Sequence, residues 1–154
     1  MTLWELQSLS YLDACIRLGL AVLFGLLIGL DRDLKGKPVD FRAFIIVCTS
    51  TCLLAILGTE LPHIFQMKVD EFVSLGLGKI ISGALTGIGF LGAGAIIKDK
   101  ENDVVGTAIG ASIWASAIIG LCLGFGFINL ATIGFLIIYG TLLLLGYMRN
   151  KIDT

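Results

Sequence analysis

The densest set of groups able to do chemistry is Asp31-Arg32-Asp33-Leu-Lys35-Gly36-Lys37-Pro38-Val-Asp40-Phe-Arg42. Asp31 directly follows Leu30, at the end of a long apolar run and with no polar spacer. A carboxylate held at a membrane boundary is costly unless it is paired or functional. Arg32 and Arg42 are its candidate partners. A second acidic stretch follows later in the chain, with Asp99, Glu101 and Asp103. A hard cation such as Mg2+ takes oxygen ligands, often one or two carboxylates with several retained waters. Asp31, Arg32, Asp33, Arg42, Asp99 and Asp103 therefore form the candidate cation-handling or functional set. On composition alone, the first stretch is equally a solvated loop that sets topology. No spacing in it names a particular metal.

Asp13 and Arg17 are four residues apart and so share a helix face. An internal ion pair would make Arg17 cheaper to insert into a membrane. A place in a conduction or partner site is the alternative. His63 is the single histidine and lies beside Pro62, so no nucleophile–base set can be assembled. The string Gly87-Ile-Gly89-Phe-Leu-Gly92 matches G-x-G-x-x-G, but that pattern binds dinucleotides only between a strand and a helix. Here it lies inside a charge-free run. Of the four cysteines, Cys48 and Cys52 share a helix face. They read as small apolar packing residues. The expectation is a non-enzymatic protein without a cofactor, with a hard cation such as Mg2+ as a candidate ligand or substrate.

These groups must be positioned by apolar elements. Of 154 residues, 56% are hydrophobic and 15% charged, with a mean hydropathy of +0.96. Soluble domains carry about 25% charged residues, and so short a soluble chain could not bury that much apolar surface. Disorder is excluded by the same numbers. A net charge of −1 leaves no basic footprint for nucleic acid. The partner implied is the lipid bilayer, and the class is an all-α integral membrane protein.

Charge-free runs cover 18–30, 43–59, 80–97 and 104–148. The last, at 45 residues, would reach roughly 68 Å as one helix, against a hydrocarbon core of about 30 Å. It must turn back, and Gly124-Phe-Gly126 is the natural break. Five transmembrane helices follow, near 11–30, 43–61, 77–97, 104–123 and 127–148, forming one membrane domain over residues 1–154. Eight of the 11 Lys and Arg residues fall on the side holding 31–42, 98–103 and the C-terminus. The positive-inside rule then puts the N-terminus out and the C-terminus in. No basic region precedes the first apolar run, so no cleavable signal peptide is expected.

Apolar character cannot drive helices together in lipid, but close packing of small residues can. Ala21, Gly25 and Gly29 form one stripe. Gly83 and Gly87, followed by Gly89, Gly92 and Gly94, form a second. Ser112, Ser116, Gly120 and Gly124 form a third. Tight packing, a polar path and contact with a second copy all use such stripes. A cation path usually shows acids or carbonyl rings within the membrane. No Asp or Glu lies in 14–30, 43–59, 80–97 or 104–148. A path at an oligomer interface is thereby favoured over one through a single protomer, with a homodimer through the third or fourth helix as the expectation.

Three segments in order resemble the MgtC/SapB family of bacterial inner-membrane proteins. They are Gly29–Arg42 with its acidic–Arg–acidic, basic–Gly–basic pattern, the glycine-rich run Gly87–Ile97, and Ala111-Ser112-Ile-Trp114-Ala-Ser116-Ala117 with Gly120. The last resembles the family's Ser–Leu–Trp segment and brings in Trp114. There are departures: Ala43 and Phe44 stand where members often have Thr–His, Gly83 stands for a common Gln, and Val105, Ala108 and Ile109 stand for Arg and Thr residues. The resemblance implies adaptation to low Mg2+, survival of pathogens in macrophages, and a multi-pass place in the inner membrane. It also implies a short form without the C-terminal ACT-like domain of longer members. A second implied role is modulation of another membrane complex such as the F-type ATP synthase.

Overall fold

A computed structural model describes residues 6, 8–34, 40–65, 76–98, 102 and 104–152, with side chains through residue 144 and at residue 146. Five α-helices lie among them: α1 (Tyr11–Leu34), α2 (Phe41–Phe65), α3 (Gly78–Gly94), α4 (Thr107–Gly124) and α5 (Ile128–Ile152). Three, α1, α2 and α4, are long and apolar enough to cross a membrane.

α1 runs one turn past the expected boundary. Asp31, Arg32 and Asp33 are therefore helical, not loop residues. The reason is the buried stripe Ala21, Phe24, Gly25, Ile28, Gly29, which continues into Asp31 and Arg32 at the spacing of one helix face. α2 starts earlier than expected because Asp40 caps it. The Arg42 backbone N–H donates to Asp40 Oδ1 at 2.8 Å, which satisfies one of the donors a helix start leaves open. The helix also runs through Pro62 to Phe65. Proline removes a single backbone donor, and here it does so in the last turn.

The third and fourth helices are shorter than expected. Residues 97 and 104–105, expected in helices, instead form a small hairpin. β1 (Ile97–Lys98) pairs antiparallel with β2 (Val104–Val105), Ile97 opposite Val105 and Lys98 opposite Val104. The β-branched residues among them suit extended backbone. Gly106 has a positive φ of +94°, and a Cβ there would overlap Ala95 O. Only glycine therefore lets the hairpin close onto α4. The break at Gly124–Gly126 is where the charge-free run predicts it. Gly126 has φ +88°, and its N–H donates to Leu123 O while Phe127 N–H donates to Cys122 O. These bonds end α4 in a Schellman turn.

Contacts show how the helices run. Gly25 meets Phe44 and Ile45, and Gly29 meets Phe41, so α1 and α2 are antiparallel. Gly120 meets Cys48 and Thr51, and Gly124 meets Cys52 and Ala55, so α2 and α4 are parallel. Gly92 and Gly110 touch across the antiparallel α3–α4 pair. α5 runs along α1 in the same direction: Gly126, just before α5, meets Arg17, and further along both helices Phe24 stacks on Phe135 at 4.3 Å, which in turn stacks on Tyr139 at 5.3 Å. Chain direction thus alternates from helix to helix, so that α1, α3 and α5 run one way and α2 and α4 the other. The core is the α1–α2–α4 contact, filled by Ala21, Ile28, Phe44, Cys48, Cys52, Ala117 and Leu123.

Candidate functional site

α1 carries its apolar stripe as far as Ile28, and the next positions on that face are Asp31 and Arg32. Packing therefore buries both, with side chains 3% and 8% exposed. Arg32 Nε lies 3.9 Å from Asp31 Oδ2. That is long for a charge-assisted hydrogen bond, which spans about 2.7–2.9 Å. Nε finds no hydrogen-bond acceptor. The C-terminal end of a helix carries partial negative charge. Arg32 is therefore well placed there, beside the Asp31 carboxylate.

The other members of the candidate set are not drawn into this pair. Asp33 is exposed. Arg42 pairs with Asp40 at 3.2 Å on the surface, so the arginine beside Asp31 is Arg32 and not Arg42. Asp99 and Asp103 lie outside the described residues. Among the described residues, no group of three His, Cys, Asp or Glu side chains could hold a metal.

The opposite end of the bundle holds two further polar contacts, both part-buried. Arg17 Nη1 donates to Gly124 O at 2.8 Å, and its guanidinium lies over Gly126. This corrects the expected Asp13–Arg17 pair. α1 turns Arg17 inward toward the carbonyls that end α4, while Asp13 stays exposed. Those last carbonyls have no partner within their own helix. Arg17→Ala is expected to cost about 2 kcal/mol, as for a lost hydrogen bond to a charged group. Asp13→Ala should stay within about 0.5 kcal/mol. Unfolding titrations in mixed detergent micelles would read both, and equal losses would restore the ion pair.

The second contact is one the sequence reading does not single out. Glu60 is 2% exposed, and its carboxylate accepts from Ser8 N–H and from the Ser8 hydroxyl. Its signal is position: it directly follows the charge-free run ending at Thr59, and α2 continues past it. Phe41, which touches Gly29, marks the Asp31 end of α2. Glu60 lies near the other end of the same helix, roughly 28 Å away at a rise of about 1.5 Å per residue. Acids therefore stand near both ends of the α1–α2 pair.

Between these ends three hydroxyls turn onto their own helices, while Thr49 Oγ1 is buried without a hydrogen-bond partner. Ser112 Oγ donates to Ala108 O, Ser116 Oγ to Ser112 O, and Thr51 Oγ1 to Val47 O. Trp114 is half-exposed, on the outer side of α4. Of the small residues, Gly25, Gly29, Gly92 and Gly120 are in close helix contact. Gly83, Gly87, Gly89 and Gly94 face open space.

Three membrane-length helices, antiparallel glycine contacts and a charged pair at the bundle's end define a small helical membrane protein. The MgtC family model matches residues 18–151, and the chain belongs to that family. It is 33% identical over 145 residues to Protein SapB of Bacillus subtilis, a match that covers 91% of this chain and 60% of that protein. The YhiD protein of Escherichia coli K12, whose name describes a candidate magnesium transporter, is 32% identical over 119 residues, 77% of this chain and 54% of its own. Protein MgtC of Brucella abortus is 32% identical over 127 residues, 82% of this chain and 48% of its own. The chain thus spans about half to three-fifths of the length of these relatives. No solved structure matches it.

Proposed function

We propose that this chain is a non-enzymatic protein of the bacterial inner membrane that serves Mg2+ homeostasis when Mg2+ is scarce, binding or passing a divalent cation where copies of the chain meet. The observation that carries this reading is Asp31, a carboxylate buried at the end of an apolar helix, where the helix terminus is itself negative. Family membership and the name of the E. coli relative support the choice of cation. All five helices cross the bilayer in this reading, with the N-terminus out. The bias of Lys and Arg toward one side, eight of 11, supports that orientation. The hydroxyls bonded within their own helices speak against a path through one protomer.

Purified protein in liposomes is expected to pass Mg2+ above the level of empty vesicles, and Asp31→Asn to reduce the flux about tenfold or more. Flux equal to that of empty liposomes would refute permeation. A second reading, regulation by docking on another membrane complex, is favoured by the open glycines of α3. A photo-crosslinker at Gly87 separates the two: a second copy of this chain supports the first, and a subunit of another complex supports the second.

A further inference from the structure

We propose that Arg32 is a built-in competitor at Asp31: its guanidinium occupies the carboxylate in the cation-free protein and must leave before a divalent cation binds there. This rests on reading Asp31 as the cation-facing carboxylate. Arg32 Nε and Asp31 Oδ2 face each other across 3.9 Å inside the fold. A Mg2+ ion sits about 2 Å from a carboxylate oxygen, so an ion on that side would lie only about 2 Å from Nε. Cation and guanidinium therefore exclude each other by both volume and charge.

The pair is also built to open. A guanidinium carries five donors, yet Nε has no acceptor. Its contact to Asp31 is longer than a charge-assisted hydrogen bond. The hold of Nε on the carboxylate is therefore incomplete. Residue 32 lies in the last turn of α1, beside Asp33 and Leu34, which are both exposed. An arginine stem there is long enough to carry its charge outward to water or lipid phosphate. A divalent cation brings twice the charge and its own waters, which replace the donors that Arg32 withdraws. The helix C-terminus favours a positive charge beside Asp31 in both states.

The test uses the full chain in nanodiscs, with Mg2+ as the probe. Phenylglyoxal modification of Arg32, mapped by mass spectrometry, is expected to rise at least threefold at saturating Mg2+, with exposed Arg42 as the internal standard. Arg32→Gln is expected to bind Mg2+ at least tenfold more tightly than wild type, and Asp31→Asn to lose binding. If wild type binds through Asp31 but Mg2+ leaves Arg32 equally protected, or Arg32→Gln binds no tighter, the competitor role is wrong while the cation site stands. If neither wild type nor Arg32→Gln binds Mg2+, the cation site falls and the competitor role with it. Should Arg32→Gln fail to fold, the labelling of wild type decides alone.

Discussion

Gly120→Ala should be among the most damaging single-methyl substitutions in this protein, costing on the order of 3 kcal/mol. A Cβ at residue 120 would overlap both Thr51 Oγ1 and Cys48 O. The hydroxyl could turn away, but the carbonyl is helix backbone and cannot. α2 and α4 would have to separate, and α4 lies in the centre of the bundle, so the displacement would spread to α1 and α3. Gly87→Ala adds the same methyl to the same kind of helix, yet its Cβ would meet open space. There alanine should be neutral or slightly stabilising, because glycine inside a helix costs about 0.5–1 kcal/mol relative to alanine. Unfolding titrations of both variants in mixed micelles test the pair. Similar behaviour would mean that α2 and α4 are not in the close contact described.

A comparably large effect is expected at the other end of the bundle. Asp31→Leu leaves the Arg32 guanidinium buried without its carboxylate. Removing one partner of a buried pair costs about 3–5 kcal/mol. The lower figure applies here, because the pair is stretched to 3.9 Å and the arginine stem can carry its charge outward. Asp31→Leu combined with Arg32→Met removes both charges and should recover most of the loss, since the positions continue the apolar stripe of Ile28 and Gly29. A double-mutant cycle over wild type, Asp31→Leu, Arg32→Met and the double variant measures the coupling. Additive losses would show that the two side chains do not depend on each other, and would also remove the basis for Arg32 as a competitor.

These positions are legible in the sequence to different degrees. The charge-free runs, the turn at Gly124–Gly126 and the boundary place of Asp31 are one-dimensional properties, and each can be read directly. Charge alone ends α1 one turn short, because the buried stripe carries on through the charged residues. Glu60 escapes notice for a different reason: the expected second helix already includes it, but its partner Ser8 is 52 residues away. Spacing pairs Arg17 with Asp13, four residues away, while its actual acceptor, Gly124 O, is 107 residues away.

The residue order alone is enough for the membrane class, five apolar helices and the side that gathers positive charge, because each depends on composition and local order. It also determined the family, through three short segments in order. Which glycines touch and which lie open, the contact of Arg17 with the end of α4, the burial of Glu60 and the meeting of Asp31 with Arg32 emerge only from the packed fold. In water, an amphipathic pattern announces the buried face of a helix. In a bilayer the outer face is apolar too, and α4 is apolar all round. The rotation of each helix about its axis is then set by pairwise packing of small residues and by a few buried charges. Those are relations between distant segments, and they exist only once the helices have met.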